Sequence, residues 1–565
     1  MLKKSLIMLS LVSSLVMASK EEFVGSGKGY NGDIKVKVSV ENKKITDIEV
    51  VKHEESGFTR RAMKKINDEI LSSQSLDIDN IAGATYTSEG IKEAVGKAIT
   101  SSGVILNKVA KKATINEELK DLETDIVVVG GGGAGLSAAI AAKENGARVI
   151  LLEKMPMVGG NTNYATGGIN AADTSIQKKL GIEDSAELYY NDTMKGGKNL
   201  NNPSLLKKLT EESKYAIDWL ISKGTDLTEV SFSGGQSVKR IHRPTGGKAV
   251  GPVIVDALNS TLENMGVETK TNNKVVKILM ENNKVSGVLV ENNGKEYRIN
   301  AKAVVMATGG FGANADMVSE YNPNLKGFGT TNNPAITGEG IKLIQEVGGD
   351  VVDMKQIQTH PTVVHQTPNM ITESVRGEGA ILVNRDGKRF INELETRDVV
   401  SKAELEQKGK SAFLIFDQQT RESLSAINGY VKKGLTKEAN NVSELSKIIG
   451  VDSKELEKTI TRYNSFVKNG KDSDFGKKGL PREIVKAPFY AIEVSPAIHH
   501  TMGGVKINEN AEVLDKNGDK IQGLYAAGEI TGGVHGGNRI GGNAVTDIIV
   551  FGKIAGENAV KEVKK

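Results

Sequence analysis

The stretch "TDIVVVGGGGAGLSAAIAAKENGARVILLEK", residues 124–154, contains the pattern that decides the fold. An apolar run at residues 126–129 predicts a buried strand, and a second run at residues 149–152 predicts a strand beside it. Between the two runs, Leu136 and Ile140 recur at helical spacing. The order strand, helix, strand predicts a βαβ unit and therefore an α/β domain with a parallel sheet.

The turn after the first strand reads Gly130-x-Gly132-x-x-Gly135, and the second strand ends at Glu153. In such a unit the glycines permit a tight turn, close approach of the backbone to a pyrophosphate, and close packing of helix on strand. The helix N-terminus stabilises phosphate charge, and Glu153 is placed to bind ribose hydroxyls. The motif predicts a dinucleotide site with these contacts: Gly130, Gly132, Gly133, Ala134, Gly135, Glu153 and Lys154.

Three later stretches carry further glycines: "MPMVGGNTNYATGGIN" (155–170), "AVVMATGGFGAN" (303–314) and "GLYAAGEITGG" (523–533). Together with the first motif, and in this order, they resemble the FAD domains of the succinate dehydrogenase and fumarate reductase superfamily. In that superfamily an acidic residue at the position of Glu529 holds the ribityl chain. The resemblance implies non-covalent FAD and adds these candidate contacts: Asn161, Thr162, Gly167, Gly168, Gly309, Gly310, His500, Glu529 and Gly542.

The composition excludes several classes of function. The 565-residue chain has 74 basic and 70 acidic residues, so its net charge is small for its size. No basic cluster is interleaved with aromatic residues, which argues against nucleic-acid binding. The chain has no cysteine, which excludes a disulfide, an iron–sulfur cluster and a thioether-linked haem, and we predict no metal site.

The N-terminus has the order of a secretory signal peptide. Lys3 and Lys4 precede an apolar run that ends near Met17, and the small residue Ala18 follows. The run is too short to span a bilayer, and a lipobox cysteine is absent. We expect residues 1–18 to be removed and the protein to be exported to the periplasm, the cell surface or the medium.

Residues 20–112 form a predicted small α+β domain. Apolar and charged residues alternate at 33–41 and return after a turn at 41–44, which predicts a hairpin. Helical spacing follows at residues 62–70 and again at residues 91–104. The hydroxyl-rich loop ahead of the second helix can cap that helix and attract phosphate.

That loop contains "DNIAGAT", residues 79–85. The stretch is similar to the attachment motif of the FMN-binding domains of sodium-pumping quinone reductases, except that Ala82 stands where serine or threonine is usual. In that family a flavin transferase links FMN to the last threonine through a phosphoester. The resemblance implies covalent FMN on Thr85, with Thr87 as the alternative site, and a flavin transferase as a partner.

Three stretches concentrate histidines and arginines: residues 358–403, 495–508 and 534–547. An arginine matches a carboxylate bidentately, and a histidine is a donor whose charge adapts near neutral pH. Two arginines and two histidines that converge on one pocket would suit a small dianion. A single histidine more often makes a turn contact or a surface salt bridge, an interpretation that we keep for His365 and leave open for His535.

From about residue 122 to its end, the chain resembles the soluble flavocytochrome c fumarate reductases. Arg397 matches the proton donor of that family, and Glu373 and Arg376 match the relay that reprotonates it. Met370 matches a residue that presses on the substrate and helps to twist it. The family's haem domain is missing, and the FMN domain stands in its place. The matching substrate contacts are His360, Met370, Thr372, Glu373, His499 and Arg539.

The predicted architecture is an FAD domain at 121–354 and 501–565, an inserted clamp domain at 355–500, and the FMN domain in front. The resemblance implies reduction of fumarate to succinate, with electrons passing from an unidentified membrane-bound or soluble donor to FMN and then to FAD. Alternatives on the same scaffold are reduction of urocanate, acrylate, methacrylate or cinnamates, and oxidation in the manner of succinate or aspartate oxidases. A flavin electron carrier without its own substrate is the alternative from a different class.

Overall fold

The computed structural model describes residues 20–30, 32–55, 59–81, 84–107, 120–232 and 234–564. The predicted signal peptide lies outside these residues, as do Ala82 and Gly83 of the attachment motif. The chain divides into two compact units, Met1–Asn116 and Glu117–Lys565. Among the described residues, no helix is both long enough and apolar enough to cross a membrane.

Within its described residues, the first unit has a three-stranded antiparallel sheet and two helices. The predicted hairpin is present, and its inward side chains Ile34, Val36 and Val38 are fully buried. One strand precedes the hairpin and pairs with it. The strands are β1 (Glu21–Lys28), β2 (Asp33–Glu41) and β3 (Lys44–Lys52), and the helices are α1 (Arg60–Ser73) and α2 (Thr85–Ile99).

The second unit is built around a ten-stranded sheet, whose central strands are parallel. Its strands, with those of the smaller sheets, are β4 (Leu122–Glu123), β5 (Ile126–Val129), β6 (Val149–Glu153), β7 (Ile169–Asn170), β8 (Glu229–Ser231), β9 (Ile241–Arg243), β10 (Glu268–Thr271), β11 (Lys274–Glu281), β12 (Lys284–Asn292), β13 (Lys295–Asn300), β14 (Ala303–Met306), β15 (Gly329–Thr330), β16 (Val351–Val352), β17 (Ile357–Val364), β18 (Ile381–Val383), β19 (Ala412–Asp417), β20 (Lys437–Ala439), β21 (Phe489–Thr501), β22 (Gly504–Val505), β23 (Glu512–Leu514) and β24 (Lys520–Ala526). Eight of the ten strands follow the order β10-β6-β5-β14-β24-β12-β13-β4, and β11 and β23 pair at the side with β12 and β24. The parallel central strands confirm the predicted α/β domain.

The helices of this unit cover the sheet and build the clamp. They are α3 (Gly133–Glu144), α4 (Ser175–Lys179), α5 (Ala186–Gly196), α6 (Pro203–Ser222), α7 (Val250–Asn264), α8 (Ala315–Tyr321), α9 (Glu339–Glu346), α10 (Ser374–Gly377), α11 (Arg397–Leu405), α12 (Gln418–Ser423), α13 (Ala426–Lys432), α14 (Val442–Ile449), α15 (Ser453–Asn469) and α16 (Asn543–Val563). The predicted βαβ unit is therefore β5-α3-β6.

The turn between β5 and α3 shows why its sequence needs glycine. Gly130 has φ of +105°, and a Cβ there would lie 2.4 Å from the carbonyl oxygen of Ala307. This backbone conformation is open to glycine and strained for other residues. The turn brings the N-terminus of α3 to the carboxyl ends of β5 and β14, where an α/β sheet binds its ligand.

A second sheet, of six strands, forms the centre of the clamp. Its strand β19 is buried on both faces: Leu414 and Phe416 pack in one apolar cluster, and Phe413 and Ile415 pack in another. The buried residues of both clusters lie within 371–494, inside the predicted clamp domain. The sheet also takes in β15, which pairs with β21 from ahead of the predicted boundary at residue 355.

Candidate active site

One continuous cavity of about 880 Å³ joins the glycine-rich segments to the clamp. All the predicted FAD contacts line it except Gly135 and Gly310. Those two serve in packing, because a Cβ on either would lie within 2 Å of an oxygen, of Gly130 and of Thr501 respectively. The predicted substrate and relay residues line the same cavity: His360, Met370, Thr372, Glu373, Arg376, Arg397, His499 and Arg539.

The glycine-rich end of the cavity fits FAD. Glu153 at the end of β6 is buried, and its carboxylate accepts hydrogen bonds from the amides of Gly131 and Met155, both at 2.8 Å. The backbone at Gly132 and Gly160 borders open cavity volume, because a Cβ on either residue would come no closer than 4.0 Å to another atom. This leaves the backbone free to approach a pyrophosphate, as the motif predicts.

Further along the cavity, Glu529 and His500 are two candidate contacts to the flavin. Glu529 is held by the amide of Thr501 at 3.0 Å and by the side-chain amide of Asn161 at 3.2 Å. Neither ring nitrogen of the buried His500 has a hydrogen-bond partner among the described residues. A buried polar group without a partner is costly, so His500 fits a role in which a bound cofactor completes its hydrogen bonds.

Two paired strands of the clamp each bring one histidine to the substrate end. His360 on β17 and His499 on β21 lie on paired strands, with ring centroids 5.2 Å apart. His499 Nδ1 is hydrogen-bonded to the hydroxyl of Thr331 at 2.8 Å. The Nδ1 of His360 is buried without a partner among the described residues. The two rings form one donor surface in the cavity wall.

Gln358 joins the two arginines of the site. Its side-chain oxygen accepts from Arg397 Nη1 at 3.0 Å and from Arg539 Nη2 at 3.1 Å. Its side-chain nitrogen donates to Asn538 Oδ1 at 2.5 Å and to the carbonyl of Arg539 at 2.8 Å. Two like charges are thus held near one neutral amide. The sequence reasoning missed Gln358 and Asn538, although Gln358 lies two residues from His360 on one strand.

The predicted proton donor and relay form one chain of contacts. Arg397 Nε donates to Glu373 Oε1 at 2.6 Å, and Arg376 Nη2 lies 3.5 Å from the same oxygen. Arg376 Nη1 donates to the carbonyl of Glu393 at 2.7 Å. Burial raises the pKa of Glu373, but the charges of Arg397 and Arg376 outweigh it and lower the pKa to about 2. Glu373 is therefore ionised at neutral pH and held against the guanidinium of Arg397.

The other predicted residues take these places. Met370 and Thr372 lie in the cavity wall, and the amide of Thr372 donates to the Tyr430 hydroxyl at 3.1 Å. His365 does not line the cavity and is hydrogen-bonded to Ser495 at 3.1 Å, in line with the ordinary interpretation. His535 is buried behind His500, with ring centroids 5.3 Å apart, and its Nε2 lies 3.1 Å from Asp547 Oδ2.

The histidines of the cavity are neutral in the substrate-free protein. Burial lowers the pKa of His360, His499 and His500 well below its ordinary value, and the charges of Arg397 and Arg539 lower it further. The positive charge of the wall therefore comes from the guanidiniums: Arg397 is paired with the ionised Glu373, whereas Arg539 donates to the neutral oxygens of Gln358 and Ile540. A bound dianion would offset that charge and favour protonation of the rings.

We expect binding of a dicarboxylate to take up protons. Because burial and the arginines hold the pKa of free His360 and His499 well below its ordinary value and a dianion raises it, affinity should increase as pH falls through the pKa of the bound state. Calorimetry of fumarate or succinate binding in two buffers of different ionisation enthalpy measures the uptake. His365→Gln is the control and should leave it unchanged. If the affinity does not change with pH and no protons are taken up on binding, His360 and His499 do not bind the dianion.

An ion pair ties the helix that carries Arg397 to the FAD domain. Asp398, in the first turn of α11, accepts from Lys198 Nζ at 2.7 Å and from Asn538 Nδ2 at 3.2 Å. Asn538 in turn contacts Gln358, which holds Arg397 and Arg539. The network fixes the start of α11 relative to the segment that carries Arg539.

Lys198→Met should therefore weaken catalysis, even though Lys198 does not line the cavity. The pair is partly exposed and is worth about 0–1 kcal/mol, so kcat/KM should fall by up to about fivefold. Asp398→Asn should lower it at least as much, and adding Lys198→Met to that variant should cost nothing more. Steady-state kinetics with Lys208→Met as the control, which removes an i,i+4 surface pair, measures this. Additive losses would show that the two residues act separately.

In the first unit, the structure distinguishes the two candidate threonines. Thr85 is the first residue of α2 and is exposed. Thr87 is 1% exposed, and its hydroxyl donates to the buried carboxylate of Glu55. Of the two candidate threonines, Thr85 is therefore the one exposed to solvent.

Comparison with known proteins agrees with the division of the chain into two units. A family described as an FAD binding domain matches residues 125–545, and one described as an FMN-binding domain matches residues 29–100. The chain belongs to the first family and is a flavin-dependent oxidoreductase. Within the fumarate reductase and succinate dehydrogenase superfamily, it is a fumarate reductase-like enoate reductase with an FMN-binding domain at its N-terminus.

Three relatives support that placement. "Fumarate reductase (cytochrome)" of Shewanella frigidimarina is 50% identical over 443 residues, which is 78% of each chain. "NADH:fumarate oxidoreductase" of Klebsiella pneumoniae (strain 342) is 43% identical over 546 residues, 96% of this chain but 58% of that one. "Urocanate reductase" of Eggerthella lenta is 33% identical over 570 residues, 97% of this chain and 94% of that one.

Among solved structures, the open conformation of a flavocytochrome c3 fumarate reductase superposes with a TM-score of 0.71. It is 44% identical and covers 79% of each chain. The predicted resemblance to flavocytochrome c fumarate reductases is thereby confirmed for the FAD and clamp domains.

Proposed function

We propose that the protein reduces fumarate to succinate. The observation that carries the proposal is the pair of guanidiniums, Arg397 and Arg539, that share Gln358 beside His360 and His499. A pocket that presents two guanidiniums and two histidine rings suits a substrate with two carboxylates. Acrylate, methacrylate and cinnamate carry only one.

The side chains then divide the work. Arg539 and the histidines bind the carboxylates and polarise the double bond. Reduced FAD, when bound, supplies a hydride to one alkene carbon. Arg397 gives a proton to the neighbouring carbon. The ionised Glu373, at 2.6 Å from Arg397, then accepts a proton from Arg376 and passes it to the neutral Arg397, and solvent reprotonates Arg376. The products balance as fumarate plus hydride plus proton to give succinate.

A substrate comparison tests the proposal. Rates with reduced methyl viologen should give the highest kcat/KM for fumarate among fumarate, urocanate, acrylate, methacrylate and cinnamate. Urocanate is the second candidate, because a urocanate reductase is similar over 97% of this chain. A higher kcat/KM for any other acid would overturn the fumarate assignment. Absence of turnover with all five acids would favour the flavin carrier, and faster oxidation of succinate would reverse the direction.

We further propose that a flavin transferase attaches FMN to Thr85 and that this flavin passes electrons from the donor to FAD. The exposed position of Thr85 and the FMN-binding domain match at residues 29–100 support it. Export after removal of residues 1–18 would place this chemistry outside the cytoplasm. N-terminal sequencing that finds Met1 on the purified protein would overturn export.

Thr85→Ala should remove the FMN while FAD binding and viologen-driven fumarate reduction stay normal. The reason is that the two flavins occupy separate units, and viologen can reduce FAD directly. Mass spectrometry of tryptic peptide 66–92, after co-expression with a flavin transferase, reports the modification. Thr87→Ala is the matched control and should keep the added mass. An FMN mass that survives in Thr85→Ala and disappears in Thr87→Ala would move the site to Thr87.

A further inference from the structure

Two exposed tyrosines lie together beside the predicted attachment site. Tyr86 directly follows Thr85 in the first turn of α2 and is 60% exposed. Tyr30, which comes two residues after β1, is 42% exposed. Their ring centroids are 5.9 Å apart, with an interplanar angle of 34°. The two adjoining rings offer a flat aromatic surface to solvent next to Thr85.

The two segments that carry these tyrosines are connected to each other through Glu55. The amide of Gly29 donates to the carbonyl of Gly32 at 2.8 Å, which closes the turn that carries Tyr30. A Cβ on Gly29 would lie 2.7 Å from a carboxylate oxygen of Glu55, so this turn packs directly on Glu55. Glu55 also accepts the hydroxyl of Thr87 from α2. The turn and the helix are therefore joined through one buried carboxylate.

We propose that Tyr30 and Tyr86 form the stacking surface for the isoalloxazine ring of the FMN carried by Thr85. This inference rests on the proposed attachment to Thr85. An isoalloxazine is large, flat and mostly apolar, and such rings stack on tyrosine faces. The flavin hangs on a flexible ribityl phosphate arm, so the attachment alone does not orient its redox-active ring. The exposed face of Tyr86, next to the attachment point, gives the ring a defined resting place.

Stacking has an optical signature. A tyrosine in contact with a flavin quenches its fluorescence, because the phenol ring gives an electron to the excited flavin and recovers it on return to the ground state. No net oxidation or reduction takes place. A flavin that swings freely in water keeps its emission.

The test measures FMN emission in the full-length holoprotein. Each protein is paired with its own Thr85→Ala version, which keeps FAD and lacks FMN, and the difference spectrum reports FMN alone. Tyr86→Leu, Tyr30→Leu and the double variant should raise this emission severalfold, with the FMN mass on peptide 66–92 unchanged. Tyr86→Trp should restore quenching. Tyr215→Leu, which changes a tyrosine on α6 that is 53% exposed, is the control and should leave emission unchanged.

Emission unaltered in the double variant, with the FMN mass present, would overturn the stacking surface and leave the attachment intact. If Tyr86→Leu impairs attachment, Tyr30→Leu alone decides the question, because Tyr30 lies outside the attachment motif. A wild-type protein without the FMN mass would overturn the attachment and the inference together. The two failures are therefore distinguishable by mass and by emission.

Discussion

Arg397→Ala is expected to lower kcat for fumarate by about 10²- to 10⁴-fold while FAD content stays normal, because it removes a positioned proton donor. Arg397 is the first residue of α11 and donates to Glu373 at 2.6 Å and to Gln358 at 3.0 Å. Its proton is needed only as the double bond is reduced. The loss should therefore appear in kcat rather than mainly in KM.

Two further variants separate proton transfer from simple charge. Arg397→Lys should recover part of the rate, since lysine keeps a charge and a donor but cannot bridge Glu373 and Gln358 with a planar fork. Glu373→Gln should also slow turnover, because a neutral amide cannot return the proton. Arg462→Ala, which removes an exposed arginine paired with Asp474, is the control. Near-normal kcat in Arg397→Ala with only a raised KM would make Arg397 a carboxylate clamp.

The sequence predicted the parts of the molecule that obey local rules. The βαβ unit, the hairpin of the first unit and the cavity lining by the glycine motifs all follow from periodicity or from turns that need glycine. In each case the residues of one short segment are sufficient to predict its local structure. The resemblance then supplied the roles of residues that stand far apart in the chain, such as Arg397 and Arg539.

Strand β1 shows where local rules fail. Its sequence "EEFVGSGK" contains two glycines, which weaken the tendency to form a strand. The structure explains Gly25, because a Cβ there would lie 2.0 Å from the carbonyl oxygen of Ala94 on α2. Helix and strand pack backbone against backbone at this point. That requirement arises between two segments about seventy residues apart and is invisible in either one.

The site has the same limit. Gln358, Asn538 and Lys198 are ordinary polar residues in the sequence, and nothing in their own surroundings distinguishes them. They matter because folding places Gln358 between two arginines that are held close despite like charge, while Asn538 and Lys198 tie Gln358 and Asp398 into the same network. A neutral amide becomes a structural partner only once the charges around it are known.

Arg539→Met should lower kcat/KM for fumarate by roughly 30- to several-thousand-fold, the effect of about 2–5 kcal/mol when a buried charge-assisted contact to substrate is lost. Unlike Arg397, this residue holds the substrate in both the ground and transition states, so KM should rise as kcat falls. Arg539 is buried, and burial together with repulsion from Arg397 lowers its pKa to about 9. Its positive charge is thus poorly compensated until a carboxylate arrives.

The poorly compensated charge of Arg539 also predicts how Arg539→Met changes thermal stability. Removing a buried, uncompensated charge relieves repulsion, so substrate-free Arg539→Met should melt no lower than the wild type, and its stabilisation by fumarate should largely disappear. Arg240→Met is the contrasting control: Arg240 is fully buried, pairs with Asp184 at 2.8 Å and with Asp192 at 2.5 Å, and its loss should lower Tm. Thermal melts with and without fumarate, read beside the kinetics, test both. An Arg539→Met protein that is strongly destabilised without substrate, yet is still stabilised normally by fumarate, would show that Arg539 supports the fold rather than the substrate.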